Sequence, residues 1–355
     1  MFRSNIAGIG MYVPENVVTN NDLKKYMDTT DEWIQERTGI KERRYANRTG
    51  ETTTTMGVEA AKIAIERAGL TKDDIDFIVF ATICPDYYFP GCGVLLQRAM
   101  QMKEIGALDV RNQCSGFIYA LSVADQYIKS GMYKNILVVA SEKHSFGLDF
   151  STRGRNISVI FGDGAGAVVL QPVHPEPVEG SGSGILSTHL HSDGNNAEIL
   201  AMFNPGTHAN HWLNGQQLAD FEEAEIGEMF MSHAMIDKAQ NFPNMDGPAV
   251  FKVAVEKFPE VIREALTANN LEVSDLTLLI PHQANLRISQ FVQKKLKLKD
   301  EQVYNNIQHY GNTTAASIPI ALCEALDQGK IKKGDLVCLA AFGSGFTWAS
   351  ALIRW

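Results

Sequence analysis

The sequence predicts an internally duplicated α/β fold, and three observations carry that expectation: a helix–strand pattern that returns at one fixed offset, strands that are apolar throughout, and the composition of an ordinary globular chain. Residues 64–79 and 265–280 share one pattern of helix end, short connection and apolar strand, and Leu70 and Leu271 set their offset at 201 residues. The same offset carries Ala120 and Leu121 onto Ala321 and Leu322, and the apolar run 136–140 onto 337–341. A single match could arise by chance, but four elements in order at one offset mark a duplication. Continuously apolar strands belong to a sheet covered on both faces. Two stacked α/β halves follow.

Length and composition bound the answer. The 355 residues exceed one ordinary core and accommodate two of about 150 residues each. At 45% hydrophobic and 21% charged, the chain is globular. The expected organisation is an N-terminal half over 1–172, a connection with an inserted segment over 173–245, and a C-terminal half over 246–355, with parts of 185–200 also joining a core sheet. No apolar run approaches the roughly 18 residues of a membrane span, and the first residues lack the apolar stretch of a secretion signal, so a cytoplasmic location without a membrane partner is expected. Five cysteines, at positions 84, 92, 114, 323 and 338 without C-x-x-C spacing, describe neither a disulfide framework nor a zinc site. A net charge of -9 argues against nucleic acid as a partner.

Along the chain, Trp33 and Arg37 stand four apart on a helical stretch and can pack on each other. Residues 105–110 read as a buried strand that gives way to a helical pattern over 117–128, with Cys114 at the junction. A thiol there meets the free N–H groups and positive dipole end of a helix, which lower its pKa and make a nucleophile. The segment alone is equally consistent with a thiol that merely packs. The glycine-rich run 162–166 looks like a phosphate loop, yet a β-like run follows it instead of a helix, so a tight corner is expected. Cys84, Cys92, Cys323 and Cys338 sit in apolar contexts and read as packing residues. His189 and His191 alternate on a strand, with His208 and His211 downstream, and none has metal-site spacing; no metal is expected.

The stretch 174–184 reads as a surface loop. Residues 221–238 read as an amphipathic helix with an acidic start. With Met202, Phe203, Trp212, Phe221, Met229, Phe230, Met231 and Met235, the region is either an adaptable apolar lid or a plain capping helix. Under the offset, Cys114 corresponds to Ala315, and the strand end before His282 corresponds to that near Phe80 to Thr82. Cys114, His282 and Asn312 therefore fall at strand ends or helix starts, where the ligand sites of α/β sheets gather. A thiol beside an imidazole, an amide and backbone donors can perform acyl transfer through a thioester. Taken singly, His282 reads as a satisfied buried histidine and Asn312 as a turn residue. Arg287 and Lys294, seven apart, share a helix face with Lys295 alongside, and Lys252 precedes another helical run. This is a solvated face or a docking surface for an acidic partner.

Six motifs, at 28–40 (DTTDEWIQERTGI), 114–117 (CSGF), 161–167 (FGDGAGA), 281–285 (PHQAN), 311–319 (GNTTAASIP) and 342–348 (FGSGFTW), together resemble β-ketoacyl-acyl carrier protein synthase III of the thiolase superfamily, in that family's order and over nearly the whole chain. The resemblance implies a thiolase fold with five αβαβα layers. It implies Cys114 as the nucleophile that takes an acyl group from acyl-CoA, and His282 and Asn312 as the pair that promotes decarboxylation of malonyl-acyl carrier protein. The backbone N–H groups of Cys114 and Ser344 would form the oxyanion hole. Trp33, Arg37 and Arg155 would bind CoA, Phe89 (from the partner of a homodimer) and Phe251 would line the acyl pocket, and Lys252, Arg287, Lys294 and Lys295 would dock the carrier protein. No cofactor or metal is implied. The chain departs from the family pattern at Ser344 and Asn156, where the family prefers glycine, and between positions 193 and 245, where it is a few tens of residues longer. A degradative thiolase would need a second catalytic cysteine at the C-terminal glycine turn, and a hydroxymethylglutaryl-CoA synthase a glutamate within 83–101; neither is present. A secondary-metabolism acyltransferase of the same fold keeps the same triad and is the leading rival, with a non-catalytic acyl-binding protein as the alternative outside enzymes.

Overall fold

Alternation of side chains along each strand decides which layer each residue joins. The computed structural model describes residues 3–173, 182–203, 205–206, 212–213, 216–217 and 233–355. One sheet contains β1 (Arg3–Tyr12), β2 (Phe77–Ala81), β3 (Gly106–Val110), β4 (Ile136–Glu142) and β5 (Gly164–Val173), in the order β1-β5-β4-β2-β3. The other contains β6 (Gly184–Ser192), β7 (Leu278–Pro281), β8 (Leu336–Gly343) and β9 (Thr347–Arg354), in the order β7-β8-β9-β6. In the first sheet β2 is parallel to both β4 and β3, while β1 and β5 are antiparallel to each other and β5 to β4; in the second, β7 and β8 are parallel and β9 is antiparallel to both β8 and β6.

On β2, Ile78 and Phe80 face outward onto α1 (Thr53–Arg67) and α2 (Cys92–Ala99), while Val79 and Ala81 face inward. The inward residues pack on α3 (Gly116–Lys129) and α6 (Ser317–Asp327), a pair of helices enclosed between the two sheets. Beyond the second sheet, Leu279, Cys338, Ala340 and Phe342 pack on α4 (Gly247–Ala268) and α5 (Leu286–Leu296). The result is helix, sheet, helix, sheet, helix: the five-layer thiolase fold. Every residue of β2, β4 and β8 is buried, which is why these strands carry no polar alternation.

The offset holds to the residue in the central layer. Gly116 and Ser317 open α3 and α6, and the single 3-10 turns Gln113–Ser115 and Thr314–Ala316 precede them. Gln113 and Thr314 both take left-handed φ, 43° and 48°. The halves differ at their edges. The stretch expected as a buried strand before Cys114 is instead the edge strand β3, with Leu108 36% exposed, because it pairs with β2 alone. Its counterpart in the second sheet shrinks to an isolated parallel bridge between Leu279 and Val303.

The inserted region leaves the second sheet after β6 and is closed at its base by pairing of Leu200–Ala201 with Asn244–Met245. Of the helix expected over 221–238, His233–Asp237 is helical. Lys238 lies in the turn after it, and Gly184, the last residue of the loop expected over 174–184, already opens β6; residues 221–232, 174–181, His208 and His211 lie outside the described residues. Among the described residues, no helix is long and apolar enough to cross a membrane.

Candidate active site

Cys114 is buried in the single turn that opens α3, and the end of β8 closes on it. A Cβ on Gly343 would stand 2.5 Å from the Cys114 Cβ and 3.0 Å from Sγ, so only glycine admits this approach. The following N–H, that of Ser344, and the N–H of Cys114 itself both donate toward Sγ. The Ser344 hydroxyl is engaged elsewhere, donating to the Leu200 carbonyl. The thiol does not follow the expectation of a lowered pKa. Burial, with the Glu142 carboxylate adding, pushes it up to about 12 against the two N–H donors. A one-turn helix start stabilises thiolate less than loss of water destabilises it, so Cys114 is held as a thiol.

His282 follows β7 and is fixed by its N–H to the Ala340 carbonyl at 2.8 Å. Its Nδ1 lies 2.7 Å from Ser317 Oγ, which itself accepts the Gln283 N–H at 3.3 Å. With Ser317 donating to Nδ1, the ring proton sits on Nε2, the tautomer we assign from this network. Nε2 is buried and has no hydrogen-bond partner among the described residues. Burial, and the nearby His144, push the imidazole down to about 3, so it is neutral. Asn312 is held between Ile160 and Gly162 by backbone bonds of 2.8 and 3.1 Å. Its Oδ1 accepts the Thr314 N–H at 2.8 Å, which leaves Nδ2 as the donor of this amide.

These groups meet because the two short turns pack against each other at the centre of the molecule. A Cβ on Gly116 would stand 3.3 Å from Ala315 Cβ, so the two helix starts touch. Thiol, neutral imidazole and primary amide thus gather where backbone donors already surround the sulfur. The sequence matches the 3-oxoacyl-[acyl-carrier-protein (ACP)] synthase III family over residues 108–194 and that family's C-terminal region over 266–355. A curated relative, the beta-ketoacyl-[acyl-carrier-protein] synthase III of Pseudoalteromonas atlantica, is 44% identical over 353 residues, covering 99% of this chain and 100% of that one. The chain belongs to the β-ketoacyl-acyl carrier protein synthase III family. The crystal structure of the 3-oxoacyl-[acyl-carrier-protein] synthase III of Aquifex aeolicus superposes with a TM-score of 0.84 at 41% identity, over 99% of this chain and 100% of that one. The priming beta-ketosynthase of the R1128 polyketide biosynthetic pathway superposes with a TM-score of 0.82 at 31% identity, over 99% and 96%. This synthase III family member is therefore an acyltransferase of the condensing type.

The structure adds side chains beside the triad that sequence reasoning passed over. Glu142, at the end of β4, is fully buried and accepts from Thr82 Oγ1 and the Ile83 N–H, each at 3.1 Å, and from the Ala315 N–H and the Cys84 thiol. Burial raises its carboxyl to about 8. His144, two residues on, lies with Nδ1 3.5 Å from Cys84 Sγ and Nε2 2.5 Å from Thr314 Oγ1, and burial lowers it to about 3. Cys84, Glu142 and His144 present one donor each within 4.8 Å of one another, a metal-type set among the described residues whose members are already bonded together.

The remaining predicted positions lie farther out. Arg37 and Arg155 bracket the Trp33 ring, their guanidinium carbons 4.4 and 5.1 Å from its centroid. Arg155 also donates to the Asp28 carbonyl at 2.7 Å. Phe251 packs edge-on to Phe291, and Arg287 lies 5.9 Å above its ring. Lys252, Arg287, Lys294 and Lys295 are all exposed, on the neighbouring helices α4 and α5. Phe89 is 81% exposed, with Tyr87 and Tyr88 beside it. His189 and His191 both bring a ring nitrogen to the Glu264 carboxylate, at 3.4 and 2.7 Å.

Proposed function

We propose that this enzyme transfers the acyl group of acyl-CoA to Cys114 and condenses it, with loss of carbon dioxide, with malonyl-acyl carrier protein to start an acyl chain in the cytoplasm. The observation that carries this reading is the unpartnered, buried Nε2 of a neutral His282 beside the Asn312 amide. Two neutral donors of this kind suit a thioester carbonyl that becomes an enolate oxygen. In the first half-reaction the Cys114 sulfur bonds to the acyl carbon, its proton passes to the departing CoA sulfur, and the N–H groups of Cys114 and Ser344 take the oxyanion. In the second, the malonyl C–C bond breaks, carbon dioxide leaves, and its electron pair becomes the enolate held by His282 and Asn312. The enolate carbon attacks the acyl-enzyme, and the Cys114 sulfur departs and regains a proton. Loss of carbon dioxide supplies the carbanion, so this chemistry calls for no metal.

Trp33, Arg37 and Arg155 support a CoA site, since a ring flanked by two guanidinium groups can exchange self-stacking for adenine and phosphate. The exposed Lys252, Arg287, Lys294 and Lys295 suit an acidic carrier protein. We place Phe251 at the mouth of the acyl pocket, and Phe89, with its neighbours Tyr87 and Tyr88, at the interface of a homodimer.

Intact-mass spectrometry tests the reading directly. Incubation with a panel of acyl-CoAs adds one acyl mass to wild type and none to Cys114→Ser, and malonyl-acyl carrier protein then releases carbon dioxide and removes the acyl mass. His282→Ala and Asn312→Ala acylate but fail to decarboxylate. Acylation without condensation would favour the secondary-metabolism acyltransferase. Absence of acylation would leave an acyl-binding protein.

A further inference from the structure

Thr314 has the least comfortable backbone in the site. Its φ of 48° is left-handed, a region that β-branched residues avoid. The conformation has a use, because it directs the Thr314 N–H onto Asn312 Oδ1 at 2.8 Å. The side chain that engages the Thr314 hydroxyl is His144, at 2.5 Å from Nε2. His144 is fixed from the other side by Cys84 Sγ at 3.5 Å from Nδ1. Its ring lies 4.5 Å from that of Phe161, whose backbone forms a bridge with Asn312. His144 thus touches both flanks of Asn312, and all these groups except Cys84 and Phe161 are buried.

The hydrogen bonds run in one direction. The Cys84 thiol donates to a Glu142 carboxyl oxygen, which leaves its sulfur to accept the His144 Nδ1–H; in this tautomer, which we assign from the network, the bare Nε2 accepts the Thr314 O–H. Each donor has one acceptor from Thr314 to Glu142. A metal ion on Cys84, Glu142 and His144 would have to displace the Cys84 proton that completes this chain.

We propose that His144 is a positioning residue for the condensation half-reaction: it holds Thr314 in the left-handed turn whose N–H fixes Asn312 Oδ1, and so presents Asn312 Nδ2 to the substrate carbonyl. This rests on the role given to Asn312 above, and the experiment separates the two. His144→Leu removes the anchor, and Thr314→Val removes the hydroxyl while keeping the shape. Each lowers carbon dioxide release from malonyl-acyl carrier protein about ten- to hundredfold, the scale of a displaced catalytic group, and leaves acetyl-CoA acylation of Cys114 within twofold. Thr314→Gly takes φ 48° without help, so adding His144→Leu to it changes decarboxylation less than twofold.

Crystal structures of His144→Leu and Thr314→Val show Thr314 leaving the left-handed region or the Asn312 amide turned. An unmoved Asn312 in both, an equal loss of both half-reactions, or additive effects in the Thr314→Gly background overturns the proposal. Zinc retained by the purified full-length protein at one equivalent, and lost in Cys84→Ala, also overturns it. An amide that turns in a protein inactive toward malonyl-acyl carrier protein upholds the positioning and overturns the function.

Discussion

Gly343→Ala places a methyl group where the structure has none to spare. The new Cβ would stand 2.5 Å from Cys114 Cβ and 3.2 Å from the Cys114 nitrogen, where ordinary contacts begin at 3.4 Å. Cys114 Cβ and N are fixed by the backbone of the turn and cannot rotate aside, so the β8 end and the turn must separate by about 1 Å. The φ of Gly343 lies outside the left-handed range, so the cost is purely steric. Overpacking of this kind costs about 1–3 kcal/mol of stability. The same movement withdraws the Ser344 N–H from the sulfur, and loss of one oxyanion donor costs about 10²–10³ in rate. The assay is the rate of Cys114 acylation by acetyl-CoA, read by intact mass, beside a thermal melt. Ser344→Ala is the control, because it deletes the hydroxyl bound to Leu200 and keeps the N–H; it should acylate within a fewfold of wild type. Gly343→Ala acylating within threefold of wild type would refute the reasoning, since the backbone donor could not then be essential.

Three further outcomes follow from the site and its surroundings. Iodoacetamide alkylation of Cys114 should rise about tenfold per pH unit through pH 9 and 10 without a plateau, because the thiol sits near 12; a plateau at pH 8 would show a stabilised thiolate. His282, lowered from 6.5 to about 3, contributes stability that is complete above pH 6.5 and is lost as pH falls toward 3, because the unfolded chain takes up a proton the folded one refuses. Urea titrations should therefore show His282→Gln gaining on wild type by about 1.4 kcal/mol per pH unit below pH 6.5, and parallel pH profiles would contradict the burial of a neutral imidazole. Arg287→Glu with Lys294→Glu should raise the KM for malonyl-acyl carrier protein at least tenfold at low salt, with acetyl-CoA acylation unchanged; an equal effect on both substrates would remove the docking role.

Much of this was legible in advance for a physical reason. Buried elements carry dense pattern, so the 201-residue register found from Leu70 and Leu271 also aligns the first residues of α3 and α6. Edges carry little, and β3 looked buried because Ala107 and Leu108 are apolar in a strand that only one neighbour covers. The raised thiol of Cys114 was missed because a local rule about helix ends was applied without the desolvation that only the assembled fold reveals. Glu142 ends a strand and His144 opens the short 3-10 turn His144–Phe146, where no periodicity marks them. A usable signal existed: the offset pairs Glu142 with Gly343, and a carboxylate opposite a glycine in an apolar register is a difference that packing does not require.

The left-handed residues Gln113 and Thr314 have a wider implication. The 201-residue repeat that relates them also maps Cys114 to Ala315, His282 to Ala81 and Asn312 to Arg111, so none of the three groups falls on its own kind in the other half. Duplication has therefore produced a single reaction centre where a symmetric pair of repeats would have made two. One copy of the turn carries the thiol proposed as nucleophile, and the other carries the left-handed Thr314 beside Asn312. The thiol comes from one half of the chain and the imidazole and amide from the other, and because the two turns touch, a substitution in one is felt in the other.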